Sequence, residues 1–262
     1  CDWSSDVCSS DLCTLSLVVW NPAVRLPSLL PLLLLSLPAF ASGTCSLTDP
    51  SLTLQSYTVD PQRERIVMYW QKEDGKAWGS LRSLLGDINR DGQVQMAMNG
   101  GIYDKAYAPL GLYIEKGRQL TPLNRASGGG NFFIRPGGVF YLRGQNAGIV
   151  SINKFRPSPA IRYAVQSGPM LIENGKINWR LKPSASSRKL RNGVGITGDG
   201  KVVFMLSARE TNFYDFACYA QAKLNVRQML YLDGTISKMY QKGDSVPWQY
   251  HPFVTMIAVE SR

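Results

Sequence analysis

The 262-residue chain contains a single histidine, His251, and has neither a phosphate-binding loop nor a dinucleotide-binding fingerprint. One histidine leaves little scope for Ser-His-Asp or Cys-His catalysis, or for a metal site rich in histidine. A lone histidine beside aromatic residues, as in WQYHPF, is more often packed or surface-exposed than catalytic. Any chemistry is left to carboxylates, arginine, asparagine, serine and backbone amides, so we expect no metal and no cofactor.

Long hydrophobic runs are also scarce, and the one that occurs lies near the amino terminus. Arg25 precedes LPSLLPLLLLSLPAFA, which is broken by prolines, short for a membrane span, and ends in an A-x-A pattern at residues 39–41. We therefore predict a signal peptide over residues 13–41, a mature domain over 42–262 that begins near Ser42, and no stable membrane insertion. We expect the protein to be periplasmic or secreted. Residues 1–12, CDWSSDVCSSDL, read as a translated sequencing adapter and are interpreted as an assembly scar.

Cysteine is rare in the predicted mature chain, which keeps only Cys45 and Cys218. An exported protein can join two such residues in a disulfide. Two free buried thiols are an equally acceptable interpretation, and the sequence leaves both open.

The mature chain is basic, with 28 Lys and Arg against 16 Asp and Glu, a formal net charge of +12. This balance favours anionic partners such as phosphate-bearing sugars, envelope polymers or nucleic acid. The charges are scattered and form no contiguous basic stripe, which argues against nucleic acid. We therefore expect a phosphate-bearing glycan as the partner, and no nucleic acid.

Two segments, residues 78–90 and 211–225, have the period of amphipathic helices, and short apolar strands follow at 94–98 and 228–233. Most of the remaining chain reads as strands and turns, including NFFI at 131–134. IEKGRQL, IENGKIN and TGDGKVV each predict a β-hairpin with glycine in the turn. The predicted fold class is α+β, a β-rich single domain with a mixed sheet, several β-hairpins and two amphipathic helices packed on it.

Polar residues cluster where the predicted strands end. Asn99, Gly100 and Gly101 follow the strand at 94–98, and paired glycines let a backbone approach a ligand and present amides to an anion. Asn99 can bind a sugar hydroxyl, and Tyr103 can stack on a sugar ring. An ordinary glycine-rich turn accounts for this string equally well.

Two further clusters interrupt or precede strands. Ser167 and Gly168, followed by proline, break a long apolar strand and indicate a bulge or an edge, with a purely structural kink as the alternative. Arg188 and Arg191 precede another strand, and the planar guanidinium fits phosphate oxygens bidentately. This basic segment is the best phosphate-binding candidate in the sequence, with an exposed basic loop as the less favoured alternative.

The last cluster is LDG at the end of a very apolar strand. Asp233 lies at the mouth of that strand, with Gly234 and Ser237 after it, a suitable place for a nucleophile or a base. Asp-Gly is also a very common turn pair, so this motif alone is weak. Glu210, in SARET before the second helix, is the second candidate carboxylate.

In this order, the motifs resemble the phosphodiester glycosidase family, and most closely its exported bacterial branch. The matching stretches are residues 99–103, 109–113, 166–171, 187–195 and 232–234. The resemblance implies cleavage of the bond between a sugar anomeric carbon and a phosphodiester oxygen. One departure concerns sugar specificity: residues 235–238 read TISK, where the lysosomal branch is rich in glycine and serine.

The resemblance also implies roles for individual residues. Asp233 would be the catalytic carboxylate, with Glu210 as the runner-up; one candidate carboxylate does not tell retaining from inverting hydrolysis. The predicted substrate-binding residues are Asn99, Gly100, Gly101, Tyr103, Ser167, Gly168, Arg188, Arg191, Asn192, Gly234 and Ser237. The alternative is a non-catalytic binding module for phosphate-bearing envelope glycans.

Overall fold

The computed structural model describes residues 45–262, so the predicted scar and signal peptide lie outside the described residues. The helices are α1 (Leu81–Ile88) and α2 (Phe213–Leu224). The strands are β1 (Leu54–Val59), β2 (Glu64–Tyr69), β3 (Val94–Asn99), β4 (Tyr113–Glu115), β5 (Arg118–Thr121), β6 (Gly138–Arg143), β7 (Asn146–Ser151), β8 (Ile161–Ser167), β9 (Met170–Glu173), β10 (Lys176–Ile177), β11 (Asn192–Thr197), β12 (Val202–Ser207), β13 (Val226–Tyr231), β14 (Met239–Gln241) and β15 (Met256–Ser261). None of the helices in residues 45–262 is long and apolar enough to cross a membrane.

The strands form three sheets, which we name A, B and C. Sheet A has the order β1-β12-β11-β13-β9-β10, sheet B the order β14-β3-β15-β2, and sheet C the order β5-β4-β8-β6-β7. The domain is β-rich with two helices, as predicted. The pairings between the strands named above are antiparallel, so the expected mixed sheet is replaced by three antiparallel ones.

The three sheets enclose one hydrophobic core to which each contributes. In β12, Val202 and Phe204 point into this core, whereas Val203 and Met205 point to the opposite face and pack under α2. The alternation follows from the two-residue period of a strand. Sheet A is thus buried on both faces, which explains why β12 reads as a continuous apolar run rather than an alternating one.

Both predicted helices form and end close to the predicted positions. Ser80 caps α1, because its hydroxyl accepts a hydrogen bond from the backbone N–H of Ser83, and Leu81, Leu84 and Leu85 are buried against sheet B. Helix α2 is capped by Asn212 and ends at Asn225, which adopts the left-handed conformation. The two helices therefore cover the outer faces of sheets B and A.

The three predicted hairpins are confirmed as β4–β5, β9–β10 and β11–β12. Their turns place Gly117, Gly175 and Gly200 at positive φ, as the turn types require. The strand predicted at 131–134 is wrong, because Asn131–Phe133 form a short 3-10 helix. This segment lies between β5 and β6 of sheet C and lines the cleft described below.

A disulfide between Cys45 and Cys218 ties the start of the described chain to α2, which settles the question that the sequence left open. Beside it, Thr48 donates two hydrogen bonds to the buried carboxylate of Asp215, from its backbone N–H at 2.7 Å and from its hydroxyl at 2.5 Å. The segment before β1 is thereby fixed to sheet A through α2.

Candidate active site

Asp233 lies two residues after the end of β13, where residues of sheets A and B meet. Its Oδ1 accepts a hydrogen bond from the backbone N–H of Gly234 at 2.7 Å, and its Oδ2 accepts one from the Asn99 side-chain amide at 3.2 Å. Its own N–H donates to the side-chain oxygen of Asn192 at 2.6 Å. The structure therefore brings together three of the sequence-predicted residues, from the end of β3, the start of β11 and the end of β13.

The orientation of the Asn99 amide is fixed by its other contacts. Its Oδ1 accepts hydrogen bonds from the Asn192 side chain at 3.2 Å and from the Lys238 N–H at 3.0 Å. Because the oxygen is occupied in this way, the Asn99 NH₂ group has to face Asp233. Asn99 and Asn192 are both buried, so water does not compete for these bonds.

Burial raises the pKa of the Asp233 carboxyl from its ordinary 3.8 to about 6, against the lowering effect of the hydrogen bonds from Gly234 and Asn99. The carboxyl group is nevertheless partly exposed. A carboxylate with a raised pKa that still reaches solvent is poised for catalysis near neutral pH, where it is ionised and incompletely solvated.

Asp233 forms part of the floor of an open cleft of about 450 Å³. The lining residues are Ile102, Tyr103, Leu110, Thr235 and Ile236, which we call the apolar wall, Ser187, Lys189 and Tyr231, which we call the cationic wall, Asp233 and Gly234, and residues 129–132 before and within the 3-10 helix. Asp233 is the single carboxylate among the described residues that line this cleft. The cleft thus combines apolar surface, one cation and one acid.

Arg191 lies behind the cationic wall and is completely buried. Its Nε donates to the Thr211 carbonyl at 3.2 Å, its Nη2 donates to the Ser187 carbonyl at 3.0 Å, and its Nη1 lies 3.5 Å from the Tyr231 hydroxyl. Its guanidinium stacks 4.0 Å above the Phe213 ring. Arg191 therefore contacts two residues that line the cleft, Ser187 and Tyr231, without lining it itself.

The pKa of Tyr231 is set by burial and by the charges of Arg191 and Asp233. Burial raises the pKa of Tyr231 to about 12, with the Asp233 charge acting in the same direction and Arg191 opposing them. The hydroxyl therefore stays protonated at neutral pH and can donate to an anion in the cleft.

Close packing explains the predicted glycines, and of these only Gly234 also lines the cleft. A Cβ on Gly100 would collide with the Thr255 side chain, one on Gly101 would lie 2.9 Å from Val165, and one on Gly168 would lie 2.7 Å from a backbone carbonyl. Gly234 lines the cleft, and a Cβ there would lie 2.5 Å from the Tyr231 hydroxyl oxygen.

Ser167 lies behind Asp233 and does not line the cleft. It is buried at the end of β8, and its hydroxyl donates to the Leu232 carbonyl at 2.9 Å. Leu232 directly precedes Asp233, so Ser167 contributes to the position of the carboxylate through the backbone.

Four other residues singled out in the sequence do not line the cleft. Arg188 is exposed and lies 3.8 Å from Asp49 in an ion pair. Glu210 and His251 are exposed, and His251 contacts Tyr250 edge-on. Ser237 is buried, with a hydroxyl that has no hydrogen-bond partner in the described chain.

The sequence predicted Arg188 and Arg191 of the basic segment 187–191 as phosphate ligands, whereas Lys189 is the basic side chain of that segment that lines the cleft. Alternation separates Ser187 and Lys189 from Arg188, which pairs with Asp49, but it would also place Arg191 on the cleft side, so spacing alone does not identify Lys189. Tyr231 and Ile236 were also missed, since each reads simply as part of an apolar stretch.

A second groove, of about 380 Å³, lies between sheets B and C. Its buried carboxylate, Glu260, already accepts hydrogen bonds from Arg65 at 2.5 Å and from the Tyr69 hydroxyl at 2.6 Å. This paired acid is not available for chemistry, in contrast to Asp233. Among residues 45–262, no cluster of three or more His, Cys, Asp or Glu side chains could hold a metal ion.

The chain is thus a β-rich domain with one carboxylate in an open cleft, and it matches a known protein family. The family model described as phosphodiester glycosidase matches residues 92–259, a range that contains Asn99, Asn192 and Asp233. The chain belongs to the phosphodiester glycosidase family.

Three individual proteins illustrate the relationship. The chain is 65% identical over 233 residues to the "Uncharacterized protein YigE" of Escherichia coli K12, which covers 89% of this chain and 92% of that protein. The fold resembles the catalytic domain of zebrafish N-acetylglucosamine-1-phosphodiester alpha-N-acetylglucosaminidase, with a TM-score of 0.52, 14% identity, and coverage of 82% of this chain and 85% of that one. A hypothetical protein from Synechocystis gives a TM-score of 0.51 at 13% identity, over 80% of this chain and 59% of that one.

Proposed function

We propose that the protein is an exported hydrolase that cleaves the bond between C1 of a sugar and the oxygen of a phosphodiester, releasing free sugar and a phosphomonoester. The observation that carries the proposal is the single carboxylate in the cleft. Ordinary glycosidases need a second carboxyl group to protonate the leaving oxygen. A departing phosphate is a weak base and leaves without that proton, so Asp233 alone suits this substrate.

The reaction balances with the groups in the cleft. The C1–O bond breaks and its electron pair stays on the phosphate oxygen. Asp233 either attacks C1 and is later displaced by water, or removes a proton from the water that attacks C1; both routes transfer hydroxide to C1 and a proton to solvent. In both, the carboxylate has to be ionised and close to an oxocarbenium-like centre.

The cationic wall is suited to the phosphate. Lys189 lines it as a free ammonium group, and the Tyr231 hydroxyl and Ser187 offer further donors. The buried charge of Arg191 lies behind them, with one Nη2 contact to Ser187 and a 3.5 Å Nη1 contact to Tyr231. A preorganised cationic wall of this kind stabilises negative charge that accumulates as the phosphate departs.

The apolar wall is suited to the sugar. Tyr103 presents a partly exposed ring next to the carboxylate, whose charge, together with burial, raises the pKa of the tyrosine. Ile102 and Ile236 extend this wall. The sugar ring would therefore pack between Tyr103 and Asp233, with its C1 directed towards Lys189.

Export is part of the proposal. The Cys45–Cys218 disulfide supports a periplasmic or secreted location, because disulfides persist in oxidising compartments. The signal-like segment at 13–41 points to the same location.

The test is turnover of a panel of sugar-1-phosphodiesters, followed by release of free sugar. Asp233→Asn is expected to abolish turnover, and Lys189→Ala to lower it at least tenfold through loss of a charged contact to phosphate. Arg188→Ala is the matched control, since it removes a neighbouring cation that pairs with Asp49 outside the cleft. Circular dichroism and thermal unfolding establish that each variant folds.

The outcomes separate the competing functions. Turnover that survives Asp233→Asn would refute this choice of carboxylate and make Glu210→Gln the next variant. Binding of the phosphodiesters without any turnover, lost in Lys189→Ala but kept in Arg188→Ala, would instead establish a binding module for phosphate-bearing glycans. Turnover lost in Arg188→Ala but kept in Lys189→Ala would overturn the assignment of the cationic wall.

A further inference from the structure

Tyr107 has a backbone conformation that tyrosine rarely adopts. Its φ is +58°, in the left-handed region that favours glycine. The conformation is imposed by a tight turn, in which the Asp104 side chain accepts hydrogen bonds from the N–H groups of Ala106 at 2.8 Å and Ala108 at 3.0 Å. The Tyr107 N–H donates to the Asp104 carbonyl at 3.1 Å. The turn itself therefore does not require a tyrosine, since glycine adopts this conformation without strain.

The Tyr107 ring lies at the outer edge of the cleft. It stacks on Tyr103, with 5.8 Å between the ring centroids and 18° between the ring planes. Tyr103 lines the cleft beside Asp233, whereas Tyr107 is 54% exposed. The stacked pair therefore begins with Tyr103 beside the carboxylate and reaches solvent with Tyr107.

The aromatic pair is distinct from the cationic wall, since neither tyrosine belongs to it. Half-exposed rings contribute little to folding, and the left-handed turn would form more readily with glycine. Flat aromatic faces pack well against the apolar faces of sugar rings, whereas a phosphate is held by donors and cations. A ligand that extends from Asp233 along Tyr103 would meet Tyr107 next.

We propose that Tyr107, stacked on Tyr103, forms an outer subsite for a second sugar ring, so that the substrate is a glycan of at least two rings joined to phosphate through C1 of its terminal ring. The proposal rests on the proposed function, because it assumes that the sugar lies on the Tyr103 side of Asp233. It adds the size of the glycan, which neither the family nor the catalytic residues specify.

The experiment compares matched substrates that differ only in the number of sugar rings. The probes are methyl phosphodiesters of N-acetylglucosamine, glucose and mannose, each tested beside the corresponding disaccharide. The protein is expected to prefer a disaccharide about fivefold in kcat/KM, as one additional stacked ring predicts. Tyr107→Gly is expected to remove this preference, and Tyr107→Phe to retain it.

Lys116→Gly is the matched control for the backbone. Lys116 also has a positive φ, of 51°, but lies in the β4–β5 turn outside the cleft. Both glycine variants relieve the same backbone conformation, and only Tyr107→Gly removes a ring from the cleft. Loss of the disaccharide preference in both variants would therefore refute a specific role for the ring.

Binding keeps this proposal testable if the proposed hydrolysis fails. The same phosphodiesters are titrated against Asp233→Asn and against Asp233→Asn combined with Tyr107→Gly. Tighter binding of a disaccharide that the second change abolishes supports the outer subsite even without turnover. No preference for any disaccharide, in turnover or in binding, overturns it, whereas turnover without such a preference leaves the proposed hydrolase intact.

Discussion

The raised pKa of Asp233 predicts how the stability of the fold depends on pH. In the folded protein this carboxyl keeps its proton up to about pH 6, whereas in the unfolded chain it releases the proton near 3.8. Between these values the folded state binds more protons than the unfolded state, so the free energy of unfolding falls as the pH rises. The loss begins near pH 4, is complete above about pH 6, and is absent from Asp233→Asn.

The size of this effect follows from the shift. Two pKa units correspond to about 3 kcal/mol, at about 1.4 kcal/mol per unit. Because the carboxyl is partly exposed, solvent screening reduces this value, and we expect about 2 kcal/mol. Asp233→Asn also exchanges one carboxylate oxygen for an amide that faces the Asn99 amide. That cost is the same at every pH, so only the difference in slope between the two proteins measures the Asp233 ionisation.

The assay is urea unfolding of both proteins at half-unit intervals from pH 4 to pH 8. The free energy of unfolding of the wild type minus that of Asp233→Asn should fall by about 2 kcal/mol between pH 4 and pH 6 and stay level above. Glu210→Gln, which removes an exposed carboxylate outside the cleft, should keep the wild-type slope. A difference that is flat over the whole range, or that rises with pH, would refute the buried and unpaired character of Asp233.

Three further predictions test other parts of the structure. The Cys45–Cys218 disulfide joins residues 173 positions apart, so its reduction frees a long loop in the unfolded chain. Reduction should lower the free energy of unfolding by up to about 5 kcal/mol, measured by thermal unfolding with and without reductant. Gly234→Ala should displace the Tyr231 hydroxyl and lower kcat at least tenfold in a protein that remains folded; unchanged kcat would contradict this contact. Asn99→Asp places a second carboxylate beside the candidate catalytic one, so the acid limb of the pH–rate profile should move to higher pH; a downward shift would contradict the assigned hydrogen bond.

The sequence was sufficient for the parts of the fold that depend on local periodicity. The apolar spacing of Leu81, Leu84 and Leu85 defines the buried face of α1. Ser80, the N-cap, marks the position where the helix begins. The three hairpins follow from glycine in short polar turns. The strand predicted at NFFI failed because apolar composition does not distinguish a strand from a short helical turn when the run is only four residues long.

The site was predictable in its residue types and not in its geometry. Polar residues after apolar strands marked Asn99 and Asp233 as candidates, because buried strands end where side chains reach solvent. Whether a basic residue of segment 187–191 enters the cleft depends on long-range pairing, in which Lys189 bridges Thr211 between β12 and α2. Arg191 therefore became a buried support while Lys189 reached the cleft wall, a distinction that charge and spacing alone do not carry.

The position of Asp233 depends on all three sheets. Sheet B provides Asn99, which donates to its carboxylate, and sheet A provides Asn192, which accepts from its backbone N–H. Sheet C provides Ser167, which binds the carbonyl of Leu232 directly before it. The motifs that appear separate along the chain are thus partners of one carboxylate and its backbone. This shared geometry explains why each motif alone describes an ordinary turn, whereas together they define the environment of a single candidate catalytic carboxylate.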